Sequence, residues 1–269
     1  MYIAKQARTA GNVAIACMTS RGSQNFLGAP WIARLVENSP DRIQEHVALR
    51  LLALSPHYFY DRDMRAEAER NRRSRTALVE ALVSPHLTDT AQVIDYGCGP
   101  GYMARAVADK ARHVTAVDIS PGVLACARKL NGCANIDYLT PAQFRLDPVR
   151  ADLAYSFAVV QHVRTEVLTD VLRLLADKLR PGGTLLLHFA IPGQQGWRTE
   201  AEWKADRSLA GRLKLRYGLN CFGRSGSEME SLVSGCGFTD VAVQSLAENL
   251  LVPCEDDITQ QHLLTARRR

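Results

Sequence analysis

The chain has 269 residues, of which 46% are hydrophobic and 23% charged, the proportions of an ordinary globular protein long enough for one large domain with appendages. No apolar run approaches the roughly 18 residues of a membrane span, and the seven scattered cysteines (Cys17, Cys98, Cys126, Cys133, Cys221, Cys236 and Cys254) form no C-x-x-C pair or zinc-spaced cluster, which predicts reduced thiols, a cytoplasmic setting and no membrane partner. The net charge of +5 comes largely from the arginines of 70–75 and from Arg267, Arg268 and Arg269, and without interleaved aromatics these read as a solvated helix face and a frayed tail, so no nucleic acid is expected.

Residues 1–30 read as a flexible extension. Lys5 and Arg8 before the short apolar run 10–18 faintly imitate a signal peptide, but Gly11 and Asn12 break it, and 1–17 show no amphipathic period, which fits a translation start at Met18. From Trp31 the apolar positions Ile32, Leu35, Val36, Ile43, Val47, Leu51, Leu52 and Leu54 recur at helical spacing; Pro40 splits them into two helices and Pro56 ends the second. A third helix is predicted over 62–82, with Ala66, Thr76, Leu78, Val79 and Leu82 inward and Pro85 closing it. Together 31–90 form a helical cap.

Over 91–190 short β-rich runs alternate with helical ones. Strands are predicted at 93–96, 113–117, 136–139, 152–157 and 184–190, and helices at 103–110, 121–130 and 166–179. Repeated βα units imply an α/β fold, a mostly parallel Rossmann-like sheet with helices on both faces. Residues 191–225, with Trp197, Trp203, Tyr217 and Phe222 among charges and glycines, read as a mobile, lid-like insertion. A helix at 228–234 and strands at 241–244 and 262–266 complete the sheet within 226–269.

The most informative stretch is Val-Ile-Asp-Tyr-Gly-Cys-Gly-Pro-Gly at 93–101. Ligands of parallel sheets bind beyond the carboxyl ends of the strands, where Gly97, Gly99 and Gly101 let the backbone come close. A dinucleotide fingerprint, G-x-G-x-x-G, needs a third small residue where this chain has Tyr102. Asp95 would also repel a bound pyrophosphate, whereas it suits a ligand with a cationic amino group. Asp118 ends the second strand, 17 residues after Gly101, and an acid there can accept both ribose hydroxyls of a nucleoside.

With Ala-Val-Asp-Ile-Ser at 116–120 and Leu-Arg-Pro-Gly-Gly-Thr-Leu at 179–185, this order resembles the class I S-adenosylmethionine (SAM) dependent methyltransferases over about 91–190, and more weakly through Gly237 and Phe238. The resemblance implies a seven-stranded sheet whose last strand is antiparallel. It places Asp95, Gly97, Cys98, Gly99 and Gly101 around the methionine part of SAM, Asp118 on the ribose and Ile119 on the adenine. Phe157, at the end of strand four, is placed in this cofactor lining as well. The acid that often follows strand three in that family is replaced here by Ala142, so Gln143 or a backbone carbonyl is expected to meet the adenine.

A methyltransferase must mainly align its acceptor and, for a hydroxyl, take its proton. His162, just beyond strand four, is the candidate general base, with a helix-start or loop-packing role as its alternative. His188, inside an apolar strand, reads as a satisfied core histidine, and His57 with Tyr58 and Tyr60 is placed in the cap over the cofactor. No [Asp/Asn]-Pro-Pro-[Tyr/Phe] tetrad follows strand four and no acid follows strand five, which argues against amino methylation of nucleic-acid bases and against a metal requirement. The expected function is O-methylation of a small molecule, a sugar or secondary metabolite. Carbon or nitrogen acceptors and a noncatalytic SAM-binding module stay open as alternatives, as does assembly into a homodimer.

Overall fold

The computed structural model describes residues 26–53, 63–192, 197–216, 220–246 and 261–269; the expectations placed on His57, Tyr58, Tyr60, Tyr217 and the first 25 residues lie outside them. In chain order the main elements are α1 (Pro30–Glu37), α2 (Asp41–Ala53), α3 (Met64–Leu78), β1 (Gln92–Tyr96), α4 (Tyr102–Ala108), β2 (His113–Val117), α5 (Pro121–Asn131), β3 (Ile136–Leu139), α6 (Pro141–Leu146), β4 (Ala151–Ser156), α7 (Thr165–Lys178), β5 (Leu179–Ala190), α8 (Glu200–Ala205), α9 (Leu209–Arg216), α10 (Gly226–Ser234), β6 (Phe238–Ser245) and β7 (Gln261–Arg268).

The strands form one seven-stranded sheet in the order β3-β2-β1-β4-β5-β7-β6. The first five are parallel, while β7 runs antiparallel between β5 and β6. Because both faces of a parallel strand are covered, its residues alternate between two cores. Val93, Val114, Leu153, Tyr155 and Leu186 pack under Leu78, Val79, Met103, Val107 and Leu124 of α3 to α5 and the turn after α3. Ile94, Val117, Ala154, Leu185 and Leu187 face Phe144, Leu168, Leu172, Leu175, Met229 and Val233 of α6, α7 and α10. Each such side chain contributes about 1.5–3 kcal/mol by leaving water, against the entropy of ordering it.

The predicted cap divides. Helix α3 joins the layer on the sheet beside α4, whereas α1 and α2 form a further layer on α5, through Ile32, Val36 and Leu52 against Val123, Ala125 and Cys126. The inner face of α3 also differs from prediction: Ala66 and Thr76 are exposed and Glu67 is buried. The helix then passes through a wider turn, Val79–Val83, into a tight one at Ser84–His86, where Pro85 sits. Trp31 and Leu35, though part of the apolar helical pattern, are 52% and 45% exposed.

Three other departures have local causes. Strand β5 begins at Leu179, so Pro181, Gly182 and Gly183 lie within it and the register against β4 shifts between Ala151 and Leu153; Gly182, at φ 76°, absorbs the irregularity. The basic tail is not frayed, because Arg267 and Arg268 belong to β7 and Arg267 donates to Thr184 Oγ1 at 2.7 Å and to the Gly182 carbonyl at 3.2 Å. The other basic run is a solvated face in which Arg70, Arg72 and Arg73 pair with Glu67 and Glu69 of their own helix. Among the described residues no helix is long and apolar enough to cross a membrane.

Candidate active site

The glycine turn lies at the carboxyl ends of β1 and β2, and the chain's own amides build it. The amides of Gly97 and Cys98 both donate to the Val117 carbonyl, at 2.7 and 2.9 Å, folding the turn across β2. Gly97 and Gly101 have φ of 85° and 82°, in the left-handed region that only glycine enters freely. Space is equally decisive. A Cβ on Gly97 would stand 2.1 Å from Val159 Cγ2, and one on Gly101 2.4 Å from the Tyr138 hydroxyl.

Asp118 fixes the turn from the neighbouring strand. Its Oδ2 accepts from the Gly99 amide at 3.0 Å and its Oδ1 from the Ser120 amide at 2.9 Å. Burial pushes this carboxyl up, and the two amides pull it back. A carboxylate offers about four lone-pair sites, so two remain for hydroxyl donors. Ile119, beside it, is 61% exposed, an apolar surface open at the predicted adenine position.

Asp95 lies at the end of β1, only 3% exposed. Burial pushes its carboxyl up to about 7; the Tyr155 hydroxyl opposes this, the Asp118 charge adds to it, and the Ala104 amide opposes it. Yet Asp95 Oδ2 and the hydroxyls of Tyr155 and Tyr102 are buried with no partner in hydrogen-bond geometry. Unmet buried polar groups of this kind cost about 1–3 kcal/mol each. A cationic amino group reaching Asp95 would supply the missing donor.

Beyond β4 the chain passes Phe157 and Ala158 into a single tight turn, Val160–His162. His162 Nδ1 lies 2.9 Å from the Asn220 carbonyl. A carbonyl only accepts, so the proton is on Nδ1 and the lone pair on Nε2. Burial lowers the imidazole pKa, opposed by the Asn220 carbonyl, so the ring is neutral near pH 7. His188 is buried between Ala158 and Gln261 with both nitrogens engaged, the satisfied core residue predicted. Phe157 stacks on it at 5.8 Å.

These features meet a match over the same stretch: residues 93–183 fit the family described as a methyltransferase domain. That stretch is a methyltransferase domain. Among curated relatives, the malonyl-[acyl-carrier protein] O-methyltransferase of Enterobacter lignolyticus is 32% identical over 163 residues, 58% of this chain and 59% of that protein. The ubiquinone biosynthesis O-methyltransferase of Xanthomonas campestris is 32% identical over 102 residues, 36% of this chain and 42% of its own. The chain thus spans less than two thirds of either relative. Among solved structures, magnesium protoporphyrin IX methyltransferase from Synechocystis, with bound S-adenosylhomocysteine (SAH), aligns at a TM-score of 0.52 and 16% identity, covering 82% of this chain and 93% of that one. At that identity the likeness speaks for the fold.

Within the methyltransferase domain the predicted residues do not all play similar parts. Asp95, Gly97, Cys98, Gly99, Gly101 and Asp118 converge on one turn, though Cys98 is buried and burial raises its thiol pKa well above the ordinary range. Gln143 follows β3, next to Asp118, whose amide donates to the Leu139 carbonyl at 3.1 Å. Its Oε1, however, accepts from the Thr140 amide and hydroxyl at 2.9 and 2.8 Å, closing a capping box on α6. Threonine followed three residues on by glutamine was the signal for that helix.

The described residues of the insertion are built rather than irregular. Helices α8 and α9 frame it, and Trp203 Nε1 donates to the Cys221 carbonyl at 2.9 Å. Arg224 is 2% exposed and binds it to the loop after β4, donating to the carbonyls of Val160 at 2.9 Å and Val163 at 2.6 Å and to Thr165 Oγ1 at 3.3 Å. Nothing in the local sequence marks Arg224, because the hydrogen-bond acceptors of its guanidinium are 59 to 64 residues away.

Proposed function

We propose that this chain transfers a methyl group from SAM to an oxygen of a small molecule, with His162 as general base. The observation that carries the cofactor reading is the buried Asp95 carboxylate, whose unmet Oδ2 lies at the glycine turn. Asp95 binds the amino group of the methionine part, the turn at Gly97, Cys98, Gly99 and Gly101 lies along it, Asp118 accepts the ribose hydroxyls, Ile119 covers one face of the adenine and Phe157 borders the site. With the Gln143 carbonyl oxygen engaged in its cap, the side-chain amide nitrogen or a backbone carbonyl is left for the adenine.

SAM, when bound, supplies an activated methyl group; the chain's own work is to align the acceptor and accept its proton. His162 suits that work because the Asn220 carbonyl holds the proton on Nδ1 and leaves Nε2 basic. Oxygen is supported further by the relatives named O-methyltransferases. The insertion packs on the loop carrying His162 through Asn220 and Phe222, which puts it beside the proposed base.

Titration with SAH, then incubation with SAM and a metabolite extract read by mass spectrometry, tests both parts. SAH binding with a product one methylene heavier supports the proposal. Binding without product leaves only a SAM-binding module, and no binding removes the cofactor reading. With the acceptor in hand, His162→Ala is expected to lower kcat by about 10²- to 10⁴-fold while SAH affinity holds; full turnover would remove the base.

A further inference from the structure

We propose that His188 is a positioning residue: oriented by Gln261, its imidazole holds Ala158 in a left-handed conformation and so sets Val159 against the glycine turn. This rests on reading that turn as the cofactor site.

Ala158 has φ of 59°, a conformation that costs a residue with a Cβ and persists only where surroundings enforce it. The enforcing contact is with His188, whose Nδ1 lies 3.3 Å from the Ala158 amide nitrogen. An amide only donates, so Nδ1 carries the lone pair and Nε2 the proton. Nε2 then donates to Gln261 Oε1 at 2.7 Å. Gln261 opens β7, opposite Ala190, so a residue from the far side of β5 selects the tautomer in which His188 can receive Ala158.

The contact continues toward the cofactor. Phe157 lies on the imidazole with the rings 18° from parallel, so His188 grips two successive residues. The third, Val159, occupies the space where Gly97 lacks a Cβ, 2.1 Å from that missing atom. Burial lowers the His188 pKa to about 4, which keeps the ring neutral and Nδ1 able to accept. A core-filling role needs none of this, since the strand around it, Leu185, Leu186, Leu187 and Phe189, is apolar and buried.

The test is SAH affinity by calorimetry, with thermal melting, on the full chain. His188→Phe fills the space but cannot accept the amide, and it should weaken SAH by about five- to tenfold, the loss of one hydrogen bond. His188→Asn, which retains an acceptor near Nδ1, should stay closer to the wild type than His188→Phe. Adding Ala158→Gly to His188→Phe should recover most of the loss, because glycine takes the left-handed conformation unaided. A purely structural histidine would change the melting temperature without that recovery.

Should His188→Phe fail to fold, Gln261→Leu reads the same link, and unchanged SAH affinity there overturns it. A folded His188→Phe that binds SAH like the wild type overturns the proposal alone. A wild-type protein that does not bind SAH overturns the cofactor reading and this inference together.

Discussion

Burial makes Asp95 hold its proton into the neutral pH range. In the free protein its carboxyl titrates at about 7 against an ordinary 3.8. The folded state therefore holds the proton more tightly between those values, and stability, complete below pH 3.8, declines as pH rises through 7. Asp95→Asn should flatten that part of the stability profile, measured by denaturant unfolding at pH 5 and 8. A bound ammonium favours the ionised form, so SAH binding at pH 6 should release a proton and binding at pH 8 should not. Calorimetry at pH 6 in buffers of different ionisation enthalpy reads the release; an observed enthalpy independent of buffer would overturn the Asp95 assignment. Asp95 and Asp118 were legible in the sequence because both are spaced against the same glycines. The states of His162 and His188 were not, since their partners Asn220 and Gln261 lie 58 and 73 residues away.

At the scale of elements, the sheet was readable because a parallel strand must be apolar on both faces and its helix on one. Even so, β5 was predicted short: a Pro-Gly-Gly run signals a turn locally, and only pairing with β4 and Arg267 keeps it in the strand. The two tight glycines of the site differ in kind from that one. A Cβ on Gly182 would meet nothing within 4 Å, whereas on Gly97 it would strike Val159. Gly182→Ala should thus cost about 1–2 kcal/mol of left-handed strain, and Gly97→Ala about 1–3 kcal/mol more through overpacking. Unfolding curves of the two variants give the comparison. Equal losses would mean that Val159 moves aside freely, and the close seat of the β4 loop on the glycine turn would lose its basis.

Across the whole molecule, the least legible feature is how the stretch after β5 returns to the loop after β4. Its aromatics and glycines read locally as a lid, but Arg224 makes it part of the site wall. One guanidinium reaches two carbonyls and a hydroxyl of 160–165, while Glu200, 3.9 Å from the same group, accepts from the Thr165 amide and hydroxyl at 2.8 Å each. Two segments far apart in sequence are thereby locked around His162, whose Asn220 contact lies four residues before Arg224. Arg224→Met keeps much of the volume and removes the donors, leaving the Val160 and Val163 carbonyls unmet while Glu200 keeps Lys204 at 2.8 Å; each unmet buried carbonyl costs about 1–3 kcal/mol. The expected result is a lower melting temperature together with faster proteolysis within 197–224. Arg224→Lys should rescue little, because a single ammonium lacks the planar fork that spans both carbonyls. Wild-type melting and protease resistance in Arg224→Met would show that the insertion stands without this link, and the tautomer of His162 would then need another guarantor than the wall that Arg224 holds in place.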